Sequence, residues 1–147
     1  MIAISACPTS ATGQNAPQSG AACTAAVVMT HQHLQGRWNA ELQATTHGAT
    51  PQPQPTLAVL QLGPHPELAH SVRGTVQRDG TTAQVSGDVD DGDLTLEESI
   101  NGTNISATWT GRVVEGSCGK EIRGTWNNAQ TPNTQQPFVL RKQAGWQ

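Results

Sequence analysis

Several side chains in this sequence are of types that bind metals, move protons or line ligand sites, and spacing decides which chemistry is open to them. His31 and His33 are separated by one residue. On an extended segment both point the same way, as two metal ligands would. The alternative is an exposed lead-in to a first strand, because no cysteine or carboxylate stands close in sequence to complete a site. The stretch Asp88-Val89-Asp90-Asp91-Gly92-Asp93 is the one acidic cluster. An EF-hand calcium loop needs an oxygen-bearing side chain at its fifth position and a bidentate glutamate at its twelfth, where this chain has Gly92 and Ser99. A solvated hairpin around Asp91-Gly92 accounts for the same residues. Glu97 and Glu98 are adjacent and face opposite sides of a strand, so they cannot act as a carboxylate pair. Glu98 shares the face of Leu94 and Leu96 only with a one-residue break in register; it is read as pointing inward near a barrel mouth, beside a polar partner.

No nucleophile elbow, His-Glu-x-x-His motif, P-loop or dinucleotide glycine fingerprint occurs in the chain. The chain is therefore read as a non-enzyme that needs no metal or cofactor. Four tryptophans stand in place of other aromatics, with one phenylalanine and no tyrosine. Trp38, Trp109 and Trp126 are read chiefly as core; the functional alternative places Trp109 or Trp126 in a ligand mouth. Trp146 is read as an exposed tail residue.

These residues must be positioned by strands. Asn104 to Trp126 carries apolar residues and glycines at a spacing of two: Ile105, Ala107, Trp109, Gly111 and Val113, then Ile122, Gly124 and Trp126. The pattern recurs as Leu34-Gly36-Trp38, Val72-Gly74-Val76 and Val85-Gly87-Val89. Glycines repeated on the apolar face let a sheet bend until it closes. The predicted strands are 34–42, 56–62, 70–78, 82–89, 93–100, 104–114, 121–126 and 138–142. Asp79-Gly80, Asp91-Gly92 and Asn101-Gly102 supply the dipeptides that tight hairpins select. The fold class that follows is all-β: a single antiparallel up-and-down β-barrel of about eight strands, with a two-sheet sandwich as competitor. Residues 43–55 form a long proline- and glutamine-rich loop. The Asn101 and Asn104 sequons are read as hairpin residues.

With 147 residues there is room for one such domain, covering 31–147, behind a flexible lead-in at 8–30. Charged residues make up 13% of the chain and the net charge is −3, which excludes a basic stripe for nucleic acid or a polybasic membrane patch. The three cysteines, at 7, 23 and 118, are an odd number. Ile4-Ser5-Ala6-Cys7 resembles a bacterial lipobox, which implies that 1–7 is the remnant of a signal peptide and that Cys7 is lipidated. The alternative is an ordinary disordered N-terminus. With Cys7 so assigned, Cys23 and Cys118 remain as a disulfide pair.

Gly36-Arg37-Trp38, together with Arg141, resembles the calycin arrangement. That resemblance implies that Trp38 closes the barrel base and packs against Arg141, a cation–π contact. The order of elements, with Ala107-Thr108-Trp109-Thr110-Gly111 and Arg123-Gly124-Thr125-Trp126, is similar to that of avidins. Polar residues two and six positions after the first-strand tryptophan contact biotin in avidins; Ala40 and Ala44 occupy those positions here, so biotin is not the expected ligand. The expectation is a monomeric bacterial envelope lipoprotein, in the outer membrane or on the periplasmic face, that meets the membrane only through lipid. Its barrel binds a protein partner or, alternatively, a small hydrophobic ligand at the mouth, with Trp38, Trp109, Trp126 and Arg141 as the candidate ligand or barrel-closing residues.

Overall fold

A computed structural model describes residues 23–43 and 54–144. Cys7, most of the expected 8–30 lead-in, Ala44, most of the proline- and glutamine-rich loop and Trp146 lie outside them. A short 3-10 turn, Ala26–Val28, and a one-turn helix α1, His31–Leu34, precede eight strands. The strands are β1 (Gly36–Leu42), β2 (Thr56–Pro64), β3 (Val72–Arg78), β4 (Thr81–Asp90), β5 (Asp93–Ser99), β6 (Ala107–Val113), β7 (Glu121–Asn128) and β8 (Gln135–Lys142). Each pairs antiparallel with the next, and β8 returns to β1, so the sheet is a closed barrel without a free edge.

Closure depends on the inward-facing glycines. A Cβ on Gly74 would lie 1.8 Å from the Gln61 carbonyl oxygen, and one on Gly124 would lie 2.0 Å from that of Thr110. Neighbouring strands approach there more closely than any side chain permits, and that local coiling curves the sheet. The space so created is filled by the large residues alternating with the glycines. Trp38, Trp109, Leu60, Leu96 and Ile122 are each fully buried. The outer wall is polar, with Arg37, Glu41, Arg73, Glu97 and Arg123 at the intervening positions; this apolar-in, polar-out pattern is the inverse of a membrane-spanning barrel.

Two of the three expected tight turns form as expected. Asp79-Gly80 and Asp91-Gly92 both have positive φ at both residues (51° and 76°, 55° and 85°), the conformation of a type I′ hairpin. The third differs. Asn101 Oδ1 accepts the backbone N–H groups of Thr103 (2.8 Å) and Asn104 (2.9 Å), which makes an Asx turn inside a longer loop, 100–106. Ile105 therefore belongs to that loop and is 49% exposed rather than inward-facing, and β6 begins at Ala107.

The barrel has two dissimilar ends. At the one where β1 starts, Ala26, Met29 and Leu34 are buried against the sheet, and the Trp38 indole N–H donates to the Leu34 carbonyl at 2.8 Å. Cys23 and Cys118 form a disulfide that ties this N-terminal segment to the β6–β7 connection, at a sequence separation of 95. No described helix is long and apolar enough to cross a membrane.

Two stability predictions follow from closure and from the staple. Gly74→Ala should lower the unfolding free energy by about 3 kcal/mol or more. Gly63→Ala, whose new Cβ would meet nothing closer than the Arg73 carbonyl oxygen at 3.9 Å, should be neutral or stabilise by up to about 1 kcal/mol. Urea titrations of both variants provide the comparison, and equal effects would refute the close-approach account. Reduction of the disulfide should cost about 2–5 kcal/mol in the same titration, with far-ultraviolet dichroism unchanged at zero denaturant.

Candidate functional site

The opposite end, where β1 finishes, is the barrel mouth, and its floor is organised on Glu98. Leu94, Leu96 and Glu98 alternate without any break in register, so Glu98 follows the two leucines into the interior. Its carboxylate is completely buried. Four donors meet it. Arg78, the last residue of β3, donates from Nη2 to Oε2 at 2.7 Å and from Nη1 to Oε1 at 3.2 Å. The indole N–H groups of Trp109 and Trp126 donate to Oε1 at 3.0 and 3.2 Å. A buried carboxylate is stable only when paired and hydrogen-bonded in this way, and the parallel guanidinium contacts are charge-assisted.

The cluster fits because of what surrounds it. The Arg78 guanidinium lies over Trp126, 4.9 Å from the ring centroid, which adds a cation–π contact. Trp109 meets Phe138 edge-on, with centroids 5.0 Å apart. Ala58, Ala83 and Ala107 are inward and buried on β2, β4 and β6, and their small size leaves room for two indoles and a guanidinium. The Arg78 side chain is 17% exposed and is the part of the cluster nearest solvent.

Three donors meet Oε1 and one meets Oε2, so every hydrogen bond on the carboxylate comes from the barrel's own side chains. These contacts hold the Arg78 guanidinium and the two indoles around one carboxylate. The sequence reading that Glu98 points inward beside a polar partner is matched by Arg78 and the two indoles; the register break it invoked is absent.

The other expected site residues are dispersed. Trp109 and Trp126 belong to this cluster, whereas Trp38 lies at the far end of the barrel. Arg141 was expected to pack on Trp38, and here the structure corrects the sequence. Phe138, Leu140 and Lys142 face inward on β8, so Arg141 falls on the outer wall, 51% exposed and 3.8 Å from both Glu41 and Glu121. The cation over Trp38 is Lys142, at 5.7 Å, its ammonium also donating to the His33 carbonyl at 2.8 Å. Burial, and secondarily the charge of Lys120, lowers the Lys142 pKa from its ordinary value. His31 and His33 are not on an extended segment. They lie in α1, where His33 Nδ1 accepts the Thr30 N–H at 3.0 Å. Among the described residues, no three His, Cys, Asp or Glu side chains converge on a metal position. Ala40 is buried opposite Ala58 and Leu140.

Concavities lie outside the filled interior. One of about 350 Å³ follows the rim between β2 and β4 beside Leu57 and Arg78. Two more, of about 240 and 250 Å³, share His65, Ser86 and Glu97 on the outer wall. No protein-family model matches the chain, and no curated protein is significantly similar to it. The closed eight-stranded antiparallel barrel is consistent with a calycin-like architecture.

Arg78 was the residue missed from the sequence. Its signal was present: Val72, Gly74, Val76 and Arg78 share one phase, as do Leu94, Leu96 and Glu98, so two opposite charges enter the interior at the same end. Glu98→Ala should lower stability by about 3–5 kcal/mol, because Arg78 and two indole N–H groups lose their acceptor together. Glu98→Gln should cost distinctly less, since its amide oxygen still accepts from the indoles. Tryptophan fluorescence during chemical denaturation reads both losses, and equal costs for the two variants would remove the indoles from the account.

Proposed function

We propose that this protein is a non-catalytic envelope lipoprotein whose barrel is an interaction module for a protein partner, held at the membrane by lipid on Cys7. The observation that carries the binding half is the filled interior. Eight-stranded barrels are just wide enough to be filled by side chains or to hold one small ligand. Here Trp38, Trp109, Phe138 and the leucines take that space, which favours a partner met at loops and outer wall over a hydrophobic molecule held inside. The Glu98 carboxylate, engaged by Arg78 and two indoles, favours a structural role and so binding without chemical transformation.

The anchoring half rests on the resemblance of Ile4-Ser5-Ala6-Cys7 to a lipobox and on cysteine arithmetic. Of three cysteines, two form the disulfide, which leaves Cys7 for the lipid. An oxidised pair also suits an exported protein better than a cytosolic one. The described chain begins at Cys23, on the end capped by α1, so an anchor at Cys7 joins the barrel at that end.

The test is the intact mass of the chain expressed in a bacterial host behind a lipoprotein leader, before and after reduction and alkylation. A diacylglyceryl or triacylglyceryl increment localised to Cys7, with two thiols appearing only on reduction, is the expected result. A Cys7 that alkylates without reduction and carries no acyl mass would overturn the anchor.

A further inference from the structure

We infer that the outer wall of β3, β4 and β5 is a docking groove for an extended, basic segment of a partner polypeptide. The inference rests on the reading of the barrel as an interaction module and names its surface. The two outer-wall concavities share His65, Ser86 and Glu97, so they form one trough. Its floor is made of facing cross-strand pairs: Gln84 with Ser99, Ser86 with Glu97, and Asp88 with Thr95. From Gln84 to Asp88 that floor runs roughly 13 Å at about 3.3 Å per residue, room for four or five residues of extended chain.

Two loops wall the trough, and both are held in shape by their own side chains. In the β2–β3 connection, His65 Nδ1 accepts the N–H groups of Glu67 and Leu68, both at 3.0 Å. In the β5–β6 connection, Asn101 caps Thr103 and Asn104, and the Ser106 N–H donates to the Glu98 carbonyl at 2.7 Å. Walls ordered before binding lose little conformational entropy when a ligand arrives. Each also carries an aliphatic residue in water: Leu68 is 56% exposed on one wall and Ile105 49% on the other.

Charge selects the occupant. Glu67, Asp88 and Glu97 line the trough and outnumber its one arginine, Arg73, which donates to the neutral Gln84 amide at 3.3 Å and keeps its charge. Nucleic acid is repelled by such a floor. A divalent cation has no converging ligand set among the described residues. A polypeptide carrying arginine or lysine next to aliphatic side chains satisfies both the carboxylates and the exposed Leu68 and Ile105.

The test uses the full chain with a short fluorescein-labelled peptide of alternating arginine and valine, read by anisotropy and by backbone amide shifts. Saturable binding that moves the Ser86, Thr95 and Glu97 amides is expected, with a glutamate–valine peptide inert. Asp88→Asn and Glu97→Gln, both on the exposed floor, should each weaken binding by up to about fivefold at low salt. Leu68→Ser with Ile105→Ser should weaken it further. Absence of saturable binding, shifts confined to the mouth around Arg78, or affinity indifferent to both carboxylate changes would each overturn the groove. Sedimentation showing a dimer whose formation shifts the Ser86, Thr95 and Glu97 amides without peptide would overturn it as well. The outcome is independent of Cys7: acylation without peptide binding removes the groove alone, while peptide binding to a chain with unmodified Cys7 supports the groove and removes the anchor.

Discussion

The structure depends on a volume constraint imposed by closure. Eight short strands must curl until β8 meets β1, and they do so by bringing backbones together at Gly74, Gly87, Gly111 and Gly124, where a Cβ would lie within 3 Å of a neighbouring strand's backbone. Coiling of that kind leaves the interior uneven, narrow beside each glycine and open between them. Trp38 and Trp109 occupy the open parts. Glycine and tryptophan are therefore two halves of one device, and neither is explained by its own propensity, since glycine in a strand is otherwise unfavourable. A filled interior is its consequence.

Closure solves the sides of the barrel and leaves the ends, and each end is sealed by different physics. At one, an apolar segment folds over the opening, with Ala26, Met29 and Leu34 buried and a disulfide holding the segment down. At the other, no segment is available among the described residues, and the seal is polar. Glu98 draws Arg78, Trp109 and Trp126 together from β3, β6 and β7, crossing the lumen with hydrogen bonds instead of covering it. A buried ion pair adds little net stability over an apolar replacement of the same volume, whereas removing one partner is costly. Its geometry depends on register: the carboxylate meets these donors with β5 paired as observed to β4 and β6.

Strand number, strand order and most strand limits were legible in the sequence because a period of two, punctuated by Asp-Gly turns, is a local pattern. The disulfide was legible only through the lipobox resemblance, which set Cys7 apart and left Cys23 and Cys118 to pair. What escaped was set by contacts between residues distant in sequence. Arg78 and Glu98 are twenty residues apart, and each alone reads as a charge at a strand end. The calycin resemblance places Arg141 over Trp38, whereas the inward phase of Phe138 and Leu140 puts Lys142, one position on, in that place. Asn101-Gly102 has the composition of a tight hairpin, yet the Asn101 side chain captures two backbone N–H groups and lengthens the loop.

Glu98 also connects the interior to the surface. Its side chain ties the mouth cluster together, while its backbone carbonyl accepts both the Ser106 N–H and, at 3.1 Å, the Ser106 hydroxyl. Ser106 ends the loop that walls the outer trough. The residue that orders the lumen thus also fixes where that wall stands, so packing inside the barrel sets the shape of a surface outside it. The Leu68 wall has no such link: its hydrogen bonds are local to the β2–β3 connection, through His65 and Ser71. A change in the lumen at Glu98 will therefore reach the Ile105 side of the trough first, and the two walls, though they face one floor, are coupled unequally to the fold beneath them.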